Sequence, residues 1–187
     1  MQVNYLIARQ TLLEWFRSCE IGIETSEISI FISDTEPITI EQLVSVLLEK
    51  NFQLETSAGS FDYASELYFS YSEIIFHVQI MYFNKVSSRF WVGSWWKTGS
   101  IIRSLTYPQT KFSLIKYQNL ELLVPIDING WLSEEFSQNF PSISLKTWDT
   151  WTSPNNALRD TNTIYSVSEL EGKSIVVTPN LCNHKKK

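Results

Sequence analysis

Residues 27–50 read EISIFISDTEPITIEQLVSVLLEK, and this stretch decides the fold class. Ile28-Ser29-Ile30-Phe31-Ile32 is short and rich in β-branched residues, which predicts a strand. Asp34-Thr35-Glu36-Pro37 is a turn. Thr39 then offers an N-cap, with Gln42 three residues on as its capping-box partner. Ile40, Leu43, Val44, Leu47 and Leu48 form an apolar stripe at helical spacing, which predicts a helix over 40–50.

Upstream, residues 3–18 place Leu6, Leu12, Leu13 and Phe16 on roughly one helical face, which predicts a helix stopping near Cys19-Glu20-Ile21-Gly22. Downstream, strands are expected at Phe52–Thr56, Glu66–Tyr71 and Ile74–Phe83, the last two joined by Ser72-Glu73. Phe112–Lys116 and Leu120–Val124 read as a second hairpin, turned at Tyr117-Gln118-Asn119 and ended by Pro125. Residues 129–138 fit a short amphipathic helix carrying Trp131, Leu132 and Phe136, and one late strand is expected at Ser174–Thr178. No repeat or linker divides the chain. The expectation is one α+β domain over 1–187, a helix–strand–helix opening followed by antiparallel hairpins, with 157–187 peripheral.

Composition narrows the function classes. Of 187 residues, 43% are hydrophobic and 19% charged, so the chain can bury a core. A net charge of −5 carries no electrostatic footprint for nucleic acid, and the terminal Lys185-Lys186-Lys187 reads as a solvated tail. His77 and His184 are the only histidines, which excludes a multi-His zinc site. Cys19 and Cys182 can pair in an oxidising compartment, but two cysteines make no framework. No apolar run approaches the length of a membrane span, and the first residues lack a signal-peptide pattern.

Several segments, in order over roughly residues 9–156, resemble one known family. Thr11-Leu12-Leu13-Glu14-Trp15-Phe16-Arg17-Ser18-Cys19 is similar to its T-L-L-G-W-Y-R-x-C segment, and Glu27-Ile28-Ser29-Ile30-Phe31 stands where its acidic strand lies. Ser65-Glu66-Leu67, followed by Ile75-Phe76-His77-Val78, resembles its hairpin and the strand after it. Leu145-Lys146-Thr147-Trp148-Asp149-Thr150-Trp151-Thr152-Ser153-Pro154-Asn155 is close to K-T-W-D-W-x-S-S-P-x-N. That family is the fukutin/LicD-type nucleotidyltransferase-like family, and the resemblance implies a nucleotidyltransferase-like core and transfer of a phospho-alditol or phospho-sugar from a CDP-linked donor to an O-mannosyl glycan of a glycoprotein. It also implies a divalent cation, Mg²⁺ or Mn²⁺, the Golgi as compartment, and another glycosyltransferase-type protein as partner. Such enzymes carry an N-terminal membrane anchor, and this chain is expected to start within the first catalytic helix without one.

Matched position by position, the acidic site is depleted. Thr25 and Glu27 stand at the acidic pair and His77 at the third carboxylate, leaving one negative charge where magnesium wants several hard oxygen ligands. Glu27 and His77 are thus the candidate catalytic and metal residues, suited at best to zinc or manganese. Of the nearby carboxylates Glu24, Asp34, Asp62 and Glu66, Asp34 is the best candidate to compensate, although a turn-forming Asp is the plainer reading. Gln10 and Glu14 replace family glycines, and Glu14 pointing inward would repel phosphate. Arg17 is a candidate phosphate contact or a solvated helix-end charge, while Lys146, Trp148 and Asp149 are carried over as substrate-binding residues. Phe90-Trp91-Val92-Gly93-Ser94-Trp95-Trp96-Lys97 reads as core or interface, with glycan stacking as the other reading. The expected function is therefore a fukutin-like transferase of reduced or no activity, or a pseudoenzyme binding a glycan or a partner.

Overall fold

A computed structural model describes residues 4–22, 24–60, 63–95, 102–136, 140–142 and 157–158. The described residues are α+β, with three α-helices and a mixed sheet. The central unit is a strand β2 (Glu27–Ser33) leading into helix α2 (Ile40–Glu49). Both capping-box bonds are made: the Gln42 amide donates to the Thr39 hydroxyl at 3.2 Å and the Thr39 amide to the Gln42 side chain at 3.0 Å.

The N-terminal helix is shorter than its apolar spacing predicts. Tyr5–Ile7 is a strand, β1, and helix α1 covers only Arg9–Ser18. The reason is tertiary: β1 pairs antiparallel with β2 and parallel with a strand far downstream, with Leu6 opposite Leu123. Arg9, just inside the helix, has φ 54°, a left-handed conformation costing an L-residue about 1–2 kcal/mol.

After α2 come β3 (Gln53–Ser60), β4 (Tyr63–Tyr71) and the long β5 (Ile74–Asn84), turned at Ser72-Glu73. β5 is the hub of the sheet. It runs parallel to β2, while its first half pairs with β4 and its last residues with β6 (Arg89–Trp95). β6 and β7 (Ile102–Pro108) extend the sheet to the two-residue β10 (Ala157–Leu158). β8 (Phe112–Tyr117) and β9 (Leu120–Pro125) form the second hairpin, with Gln118 at φ 54° in its turn. Helix α3 (Ile128–Phe136) follows, burying Trp131, Leu132 and Phe136. The parallel pairs β1–β9 and β2–β5 make the sheet more mixed than the expected run of antiparallel hairpins. The late strand expected at 174–178 lies outside the described residues.

Strand alternation gives the sheet two unlike faces. On β2, β4 and β5 one face carries Ile28, Ile30, Ile32, Leu67, Phe69, Val78 and Ile80, and α2 lies against it. The other carries Glu27, Ser29, His77, Gln79, Glu66 and Tyr68, then becomes apolar at Phe31 and Met81, where Trp131 of α3 packs. Phe90 and Trp91 are each 1% exposed in β6, so these two rings of the Trp-rich stretch are core. No helix among the described residues is long and apolar enough to cross a membrane.

Candidate functional site

The polar half of the second face is a connected, buried cluster. Register places Tyr68 opposite His77, Glu66 opposite Gln79 and Ser29 opposite His77, so three strands deliver side chains to one point. His77 sits at its centre, 2% exposed. Its Nδ1 lies 3.2 Å from Glu27 Oε1 and its Nε2 2.7 Å from Glu66 Oε1. The Tyr68 ring stacks on the imidazole at 4.2 Å between centroids. Glu66 Oε1 also accepts from the Tyr68 hydroxyl at 3.1 Å and the Ser94 hydroxyl at 2.9 Å. Glu27 is the partly open end, 31% exposed, and accepts from the Ser29 hydroxyl at 2.8 Å.

A second ion pair adjoins the first. Arg9 Nε donates to Glu135 Oε1 at 3.2 Å and its Nη1 to Gln79 Oε1 at 2.9 Å; the Arg9 and Glu135 side chains are 3% and 1% exposed. Tyr107 donates its hydroxyl to Glu135 Oε2 at 3.0 Å, and Gln79 donates to the Gly93 carbonyl at 2.8 Å. The unusual φ of Arg9 is thus held by a buried network.

The electrostatics follow from burial and pairing. Burial pushes the Glu27 carboxyl up, but the hydrogen bond and charge of His77, helped by Arg9 and Ser29, overcome it and hold Glu27 down at about 2. Burial pushes His77 down, and the hydrogen bonds to Glu27 and Glu66 reverse this, so its pKa is raised, with a carboxylate oxygen facing each ring nitrogen. Tyr68 is raised by burial and by Glu66. Tyr107 is raised by burial and by Glu135. Burial disfavours the Arg9 cation, yet Glu135 more than restores it.

Of the residues singled out from sequence, Glu27 and His77 come together but Thr25 turns away. Its hydroxyl lies 3.0 Å from Glu14 Oε1. Asp34 does not join them: it follows β2 at the end opposite Glu27, seven residues along, or about 23 Å at strand rise. The compensating carboxylate is Glu66, brought in by the β4–β5 register. Asp34 is instead half-buried beyond the strand, where burial, opposed by its bond from Ser33, raises it to about 7. Arg17 is tied to the Phe140 carbonyl and lies 3.6 Å from Glu24. Lys146, Trp148, Asp149 and Asp62 lie outside the described residues.

Glu14 departs most from its expected role. Rather than repelling an incoming phosphate, it is 1% exposed and accepts from the backbone amides of Gly22, Glu24 and Thr25. Converging amides form an anion-binding concavity, and here a side chain of the same protein fills it. Glu14→Ala is expected to cost about 2–3 kcal/mol, the worth of charge-assisted bonds left unmade. Hydrogen exchange should show faster amides at Gly22, Glu24 and Thr25, with Glu14→Gln milder on both counts.

The donor set does not suit magnesium. An imidazole ligates through a lone pair, and both His77 nitrogens face carboxylates across hydrogen bonds. Among the described residues, no group of three or more His, Cys, Asp and Glu is placed to hold a metal ion. Arg9, Gln79, Ser94, Tyr107 and Glu135 went unmarked in the sequence; the one signal was polar residues at every second position, 27/29, 66/68 and 77/79, in otherwise apolar strands. A scan against models of protein families, a search of curated proteins and a search of solved structures each found no match.

Proposed function

We propose that this chain is a fukutin/LicD-like domain that works as a binding module, its polar centre serving the fold rather than the transfer of a phospho-alditol from a CDP-linked donor. The observation that carries this reading is His77, shared between Glu27 and Glu66 with both ring nitrogens engaged. A general base works best with a pKa near the operating pH. Glu27, the open carboxylate, is held at about 2, which makes it a weak base at neutral pH. His77 is nearly inaccessible to a substrate. Glu14 occupies the amides of Gly22, Glu24 and Thr25 that a donor phosphate would otherwise contact. A glycan-stacking surface is not built from Phe90, Trp91 or Trp131, which are core.

Titration calorimetry of the full chain with Mn²⁺, and with CDP-ribitol in its presence, tests the reading. The expected result is no saturable binding of either. Saturable CDP-ribitol binding that needs Mn²⁺ and is lost in Glu27→Gln would overturn it and restore the transferase reading.

A further inference from the structure

The turn between α1 and β2 is built around a carboxylate. Glu14 reaches to it from α1: Oε2 accepts from the Gly22 amide at 2.5 Å, and Oε1 from the amides of Glu24 at 3.1 Å and Thr25 at 2.7 Å. The Thr25 hydroxyl also meets Oε1, at 3.0 Å. Gly22 stands at φ 74°, the left-handed conformation from which nests of inward-pointing amides are made. Glu14 is 1% exposed while Gly22 and Glu24 are exposed, so the cradle lies directly beneath the surface.

The donors define the ligand. Three amides and a hydroxyl, all uncharged, divide between the two oxygens of one planar group. A carboxylate matches that set. A dianionic phosphate would meet no cation among these donors and would sit in a turn that itself carries Glu24. We propose that the Gly22–Thr25 turn is a carboxylate-binding site that the protein keeps closed with its own Glu14. A carboxylate tethered beside the amides has already lost the freedom that a free one must give up, so external acetate does not displace it. Shortening Glu14 opens the site. Glu14→Ala removes Cγ, Cδ and both oxygens, the outline of acetate, and Glu14→Gly removes Cβ as well, the outline of propionate. This rests on the same occupied amides as the binding-module reading but not on His77. Titrating the wild type with CDP-ribitol and Mn²⁺ reads one and carboxylates on the shortened variants read the other, so the two fail separately.

The test is thermal unfolding of the full chain in formate, acetate, propionate, phosphate and chloride at matched ionic strength, for the wild type, Glu14→Ala and Glu14→Gly. At about ten times its dissociation constant, acetate should raise the melting temperature of Glu14→Ala by about 3–6 °C over chloride. Formate, a methyl group short, should bind that variant about fourfold more weakly. Propionate should bind it about tenfold more weakly for want of room. In Glu14→Gly the order should reverse, with propionate ahead of acetate. The wild type should shift by less than about 1 °C in any of them, the general effect of changing the salt. Where a shortened variant is unfolded in chloride, recovery of the wild-type circular dichroism with its matching carboxylate is the readout. No response to carboxylate in either variant, the same order of carboxylates in both, phosphate as effective as acetate, or a wild-type shift as large as the variants' would each overturn the proposal.

Discussion

Replacing Arg9 by methionine should destabilise the protein by about 3–5 kcal/mol, the usual cost of stranding one partner of a buried ion pair. Glu135 would keep the Tyr107 hydroxyl but lose the guanidinium, and it is 1% exposed. The Gln79 side-chain oxygen would also lose its donor and be left an unmet acceptor. For a chain of this size the loss is a fall in melting temperature of roughly 6–20 °C. Arg9→Met combined with Glu135→Leu should recover most of it, because two apolar groups of similar volume strand no charge. Denaturant midpoints for the two singles and the double measure the coupling directly. A single variant losing under about 1 kcal/mol would show that the pair is not the anchor described.

Removing His77 is expected to be comparably severe and to change the pH profile as well. In His77→Leu the buried Glu66 loses its cation while keeping the Tyr68 and Ser94 hydroxyls, so about 3–5 kcal/mol should be lost at neutral pH. In the wild type, Glu27 is depressed from 4.5 to about 2, so its contribution is present above about 4.5 and disappears as pH falls towards 2. His77 is raised from 6.5, so its contribution is present below about 6.5 and is lost as pH climbs through its folded value. The cluster therefore stabilises most between pH 4.5 and 6.5. The variant should lose the decline on the alkaline side, so its deficit should be largest where His77 is charged and shrink as pH rises. Stability curves at several pH values read both limbs; an alkaline decline unchanged in His77→Leu would contradict the assignment.

What was legible in the sequence was local. The Thr39–Gln42 box, the α2 stripe and the Ser72-Glu73 and Gln118-Asn119 turns are each settled within a few residues, and each is found. Tyr5–Ile7 is different: the same apolar residues satisfy a helical stripe and a strand, and what decides is a partner strand more than a hundred residues on. The site divides the same way. Glu27 and His77 are legible as candidates, and so is Asp34 from its place at the C-terminal side of the strand, whereas the meeting of Glu66 with His77 is not. In an extended strand seven residues carry a side chain about 23 Å away, whereas the β4–β5 hairpin folds Glu66 back beside His77. Arg9 and Glu135, 126 residues apart, give no local signal of meeting.

The placement of β1 between β2 and β9 also bears on how the protein is made. Leu6 pairs with Leu123, so one edge of the first strand has no partner until 117 further residues are synthesised. At about 5–20 residues per second on the ribosome that interval is roughly 6–23 s. During it the nascent chain presents an unsatisfied apolar edge, the kind of surface that holding chaperones shield and that mispairs between neighbouring chains. Slower elongation through the region between α2 and β9 would lengthen the exposure, so yield in the cell should respond to translation speed there even where the folded protein is unaltered.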